Sequence, residues 1–167
     1  MSDPRQELET GEPIVVGVGN VLLGDDGVGP AVCEALRGKT WRGSGPLPRG
    51  TRVIDGGTLG AALVPWLVDA RAVAIVDAVC VPGTPGTVLV WNASELPLQE
   101  AGRAGGLVSL VATAILAGLP KDAISLIGVI PASIQPRLGL SRAVSTAVPQ
   151  AASIVAQEIR KLTGGIA

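Results

Sequence analysis

Runs without a polar side chain alternate along the chain with short stretches crowded with glycine, proline and acid, and this pattern predicts the elements. Residues 13–19, PIVVGVG, are continuously apolar and β-branched up to their glycines, as in a strand buried on both faces. Residues 51–54 form a second short strand, and 72–76, AVAIV, a third that runs straight into Asp77. A PGTPG turn over 82–86 leads to a strand over 87–91; with no helix between them, this strand is expected to pair with 72–76. Residues 123–130 make a further buried strand. Between these lie a helix over 31–36 that Pro30 opens, helical spacing over 59–69 that Pro65 kinks or ends, and an apolar helix over 105–118. A long helix over 141–162, interrupted at Pro149, closes the series. The alternation predicts an α/β fold: one three-layer α/β/α domain over 13–163, following a flexible tail over 1–12. Its centre is a mixed, mostly parallel twisted sheet of about five strands with helices on both faces.

Composition narrows the function. Thirteen Lys+Arg stand against fourteen Asp+Glu among 167 residues, so no basic excess exists to hold nucleic acid or an anionic membrane face. No apolar run is long enough to span a bilayer and the first residues lack a signal-like core, which predicts a cytoplasmic protein. Cys33 and Cys80 form no CxxC pair and are expected as small apolar core residues. Most restrictive is the absence of histidine. It removes every Ser-His or Cys-His mechanism, any imidazole base and any imidazole metal ligand, leaving carboxylates, hydroxyls, thiols and the main chain.

In an open α/β sheet the site lies beyond the carboxyl ends of the strands. Asp25 and Asp26 follow the first strand, Asp55 the second, and Asp77 ends the third, so as many as four carboxylates are placed to converge on one rim. For Asp25 and Asp55 a helix cap or an Asx turn is the competing role. Asp77 differs: inside IVDAVC, with apolar neighbours on both sides, an acid requires a partner, hydrogen bonds or a metal. Gly17 and Gly19 do not complete a dinucleotide fingerprint, because Leu22 stands where its third glycine belongs, and neither a P-loop nor a GxSxG elbow is present.

The segment GVGNVLLGDDGVG over 17–29 resembles the N-terminal signature of the [NiFe]-hydrogenase maturation endopeptidases. DGGT over 55–58, IVDAV over 75–79, IGVIP over 127–131 and LGLS over 138–141 agree with that family in the same order. The resemblance implies a nickel-dependent, aspartate-using protease. Such a protein removes a C-terminal extension from the hydrogenase large-subunit precursor once nickel has been inserted. It further implies a metal site of two carboxylates and one histidine. By position the carboxylates are Asp26 and Asp77, as catalytic and metal-binding acids, with Asn20, Asp25 and Asp55 around them. Where the family has its histidine, the matching segment RAGGL places Arg103, whose guanidinium offers no lone pair to a metal. Three outcomes follow: nickel arrives already held by thiolates of the precursor, the protein binds a precursor without cutting it, or Cys80 brings a thiolate to the metal. Arg103 is also placed to form an ion pair with the two acids or to stand in solvent as a loop charge.

Overall fold

Five strands form a single sheet in the order β2-β1-β3-β5-β4, with β1 Pro13–Val18, β2 Arg52–Gly57, β3 Ala72–Ala78, β4 Val88–Asn92 and β5 Ile124–Val129. The structure is a computed structural model that describes residues 11–38, 43–95 and 106–164. Two expectations, the tail over most of 1–12 and the place of Arg103, lie outside the described residues. The first four strands in that order are parallel and β4 runs antiparallel to β5, so the sheet is mixed and mostly parallel, as expected.

Strands buried on both faces feed two cores. From β1, Ile14, Val16 and Val18 enter one cluster and Val15 the other. From β3, Val73 and Ile75 face the first, whereas Ala72, Ala74, Val76 and Ala78 face the second. The second face carries the helices α1 Val28–Arg37 and α4 Arg142–Leu162, whose Val32, Leu36, Val155 and Ile159 complete that core. The opposite face carries α2 Val64–Leu67 and α3 Gly106–Leu116, through Val64, Leu67, Leu110 and Ala114. Helices therefore cover both faces of the sheet.

Three expectations change. The strand at 87–91 does not pair with β3, because β5 lies between them. Burial explains this: every residue of β5 is buried, which suits an interior strand, whereas β4 is only half-buried and takes the edge. Pro149 does not interrupt the last helix; α4 runs through it with the ring on the exposed side. Pro65 sits in the first turn of α2, where a missing N–H costs nothing, so it opens that helix after a 3-10 turn over Gly60–Leu63. Among the described residues no helix is long and apolar enough to cross a membrane.

Glycines set the approach of α1 to the sheet. A Cβ on Gly17 would lie 2.7 Å from the Cys33 Sγ, and one on Gly29 would lie 2.6 Å from the Val76 carbonyl oxygen. Only hydrogen fits at these two positions, so α1 presses onto β1 and β3 at their carboxyl ends. This draws the 3-10 turn Gly24–Gly27, which leads into α1, over the same edge.

Candidate active site

Asp77, in the last turn of pleat of β3, is 7% exposed and its Oδ1 accepts a hydrogen bond from the Ala78 amide at 2.8 Å. Burial pushes its carboxyl up to about 7, against the pull of the Ala78 amide, and the negative charge of Asp26 pushes the same way as burial. Asp26 is half-buried on the 3-10 turn, its Oδ2 accepting from the Asn20 amide at 2.7 Å. Asn20 in turn closes a small turn, its Oδ1 accepting from the Leu22 amide at 3.0 Å. Gly19 joins the two acids: its φ is +135°, a Cβ there would collide with the Asp26 main-chain oxygen, and the same Cβ would lie 3.8 Å from the Asp77 Oδ1.

The other two acids turn away. Asp25 is 1% exposed and spends its carboxylate on main-chain amides: Oδ2 accepts from Ala132 at 2.8 Å and Ser133 at 3.3 Å, and Oδ1 accepts from Ser141 at 2.5 Å. Burial opposes its charge, but these bonds outweigh burial and hold the carboxyl below the ordinary aspartate value. Asp55 is exposed and closes a turn on the Gly57 amide at 3.0 Å. It belongs to β2, which runs three residues beyond the expected strand, and it lines a cavity of about 380 Å³ with Val21, Glu34 and Arg37. The four carboxylates placed to converge thus reduce to one pair, and among the described residues no three His, Cys, Asp or Glu side chains gather where a metal ion would need them.

Comparison with known proteins decides the family. Residues 42–158 match the family described as hydrogenase maturation protease. The chain belongs to the hydrogenase maturation protease family. It is 29% identical over 153 residues to the hydrogenase 2 maturation protease of Escherichia coli K12, covering 89% of this chain and 90% of that one. To the hydrogenase expression/formation protein HupD of Rhodobacter capsulatus it is 31% identical over 153 residues, covering 88% and 70%. The solved hydrogenase-maturating endopeptidase HybD of E. coli superimposes with a TM-score of 0.76 at 30% identity, over 92% of this chain and 94% of that one. Within this maturation-protease fold, Asp77 and Asp55 fall inside the matched 42–158 segment, whereas Asn20, Asp25 and Asp26 precede it.

The expectation of core cysteines holds for Cys33 alone. Its thiol donates to the Ile54 carbonyl at 3.3 Å, and burial pushes it up to about 11, so it is inert as a nucleophile. Cys80 is exposed and joins no cluster of metal-ligating side chains among the described residues. Ser141, the last residue of the LGLS stretch, has a larger part than that stretch alone suggests: it caps α4, its Oγ accepting from the Val144 amide at 3.3 Å, while its own amide meets Asp25. The signal was available, since a serine just before a helix start is a preferred cap. What the chain could not reveal was that the cap's amide is aimed at an acid more than a hundred residues earlier.

Proposed function

We propose that the protein is an endopeptidase that removes the C-terminal extension of a [NiFe]-hydrogenase large-subunit precursor after nickel insertion, working through Asp26 and Asp77. The observation that carries the reading is the acid pair across Gly19: Asp77 is buried with Asp26 as its neighbour, and its burial together with that negative charge pushes its carboxyl up to about 7. A carboxyl group so tuned serves as general base and then general acid at the pH of a cell. Asp77 takes a proton from a water whose oxygen bonds to the scissile carbonyl carbon. When the carbon–nitrogen bond breaks, it returns that proton to the departing amine nitrogen. Asp26 keeps Asp77 basic enough for the first transfer and orients the attacking water. Exposed Val21, Leu22, Ile134 and Leu138 stand on the loops beside this edge, suited to contact with an apolar polypeptide.

The resemblance implies nickel, and the residues present do not make a resident site for it. Two carboxylates without imidazole or a clustered thiol fall short of the donor set that holds a divalent transition metal. Nickel is therefore assigned to the substrate, carried by the precursor, where the two acids read its presence. Incubation of the protein with nickel-loaded and nickel-free precursor, followed by mass spectrometry, tests the reading: a shortened product from the loaded form only, lost in Asp26→Ala and Asp77→Ala. Uncut loaded precursor overturns it.

The absence of histidine favours one second reading, an assembly factor that binds the precursor without cutting it. It requires a stable complex with full-length precursor and no product, and any cleavage that depends on Asp77 excludes it.

A further inference from the structure

We propose that Asp25 is a positioning residue: its carboxylate clasps the loop over 132–141 to the turn Gly24–Gly27, and this clasp holds Asp26 beside Asp77. The consequence for cleavage rests on the function proposed above; the geometry does not.

Asp26 itself is thinly held, its carboxylate accepting from the Asn20 amide. Its place is set by the turn that carries it, and that turn is fastened through the residues just before it. The Gly24 amide donates to the Arg137 carbonyl at 2.9 Å, the Asp25 amide to the Ser133 carbonyl at 3.3 Å, and the Arg137 amide to the Leu22 carbonyl at 3.0 Å. To these three main-chain bonds the Asp25 carboxylate adds three of its own, from Ala132, Ser133 and Ser141. The Ser141 bond matters most for rigidity, because Ser141 is the first cap of the 21-residue helix α4, whose buried face is fixed in the core. Through it the turn is tied to the longest helix among the described residues. Charge-assisted bonds to main-chain amides are the strong kind, and without the carboxylate three amides facing a buried position lose their acceptor.

Asn20 reports on this arrangement independently of activity, since its amide is the donor to Asp26. Amide hydrogen exchange in Asp25→Ala, at a temperature where circular dichroism shows a folded protein, is expected to quicken at Ala132, Ser133 and Ser141. It is also expected to quicken at Asn20, by on the order of tenfold. Asp25→Asn keeps the shape and one acceptor, so it folds where the alanine variant does not, and its Asn20 rate is expected between the two. In cleavage of nickel-loaded precursor, kcat falls on the order of 100-fold in the alanine variant while KM moves only a few-fold, the mark of a displaced catalytic group. Faster exchange at 132, 133 and 141 with Asn20 unchanged overturns the proposal. Asp26→Ala run alongside separates the two readings: if it cuts at the wild-type rate the protease assignment to Asp26 fails, while the Asn20 rate still decides the clasp.

Discussion

Asp26 raises the proton affinity of Asp77, adding to the larger effect of Asp77's own burial. The native state therefore holds a proton on Asp77 up to about pH 7, whereas the unfolded chain releases it near 3.8. Between these values the native state binds the extra proton, so raising pH costs stability: the contribution of Asp77 is most favourable below about pH 4, declines through the interval and levels off above about 7. The full loss is on the order of 4 kcal/mol. Asp25 acts in the opposite sense, its lowered value adding stability as pH rises through the acid range. Denaturant titrations of wild type and Asp77→Asn from pH 4 to 8 isolate the first effect. The variant is expected to gain on wild type steadily as pH rises, and parallel pH profiles would contradict it.

Gly19 is the hinge point of the same pair. Its φ of +135° is rarely adopted by an L residue, and the Cβ of Gly19→Ala would meet the Asp26 main-chain oxygen. The variant is expected to lose about 2 kcal/mol or more of stability and to lose cleavage with it, because Asp26 must move. Gly60→Ala supplies the control. Gly60 also has a positive φ, +52°, yet nothing lies within 4 Å of its would-be Cβ. It is expected to lose about 1 kcal/mol and keep its cleavage rate. Thermal melts and product formation measured on both variants check the pair.

The chain displays its fold more openly than its site. The apolar runs at 13–19, 72–76 and 123–130 gave three strands directly, because burial on both faces leaves hardly a polar position to blur the pattern; the one in these runs, Ser125, is buried with its hydroxyl on Glu158. Pairing was harder: chain proximity suggested β4 beside β3, while the depth of burial of β5 is what decides the order. At the site, the apolar flanks of Asp77 announced a perturbed acid. Asp25 and Asp26 are adjacent and identical in type, and local pattern does not tell them apart; the family resemblance alone favoured Asp26. The fold adds a physical difference, turning Asp25 toward Ser141 and leaving Asp26 near Asp77.

Pro149 lies inside α4 on its exposed side. It can donate no hydrogen bond to the Ser145 carbonyl one turn earlier, and its ring crowds that carbonyl. Packing of Val144, Ala147, Ala151 and Val155 holds the helix continuous regardless. Pro149→Ala restores the bond on a face with no core contact, so a gain of about 1 to 3 kcal/mol is expected, read as a higher Tm. A lower Tm would mean that the ring contributes more through the unfolded state than it costs in the helix.

Arg103 offers the sharpest test of the ligand set that the resemblance implies. The spacing of RAGGL from Gly128 places it where the resemblance implies a histidine, and two carboxylates alone bind a transition metal weakly. Arg103→His replaces a permanent cation, which repels a metal and attracts the acids, with a neutral nitrogen donor. If residue 103 stands over Asp26 and Asp77, calorimetry with nickel or cadmium is expected to show affinity at least about tenfold tighter than wild type, lost again when Asp77→Ala is added. The affinity should also rise with pH through about 7, as the Asp77 carboxyl gives up its proton. An unchanged Kd would show that residue 103 does not reach the acids. The metal signal would then come from the precursor's own ligands, with this protein contributing carboxylates alone.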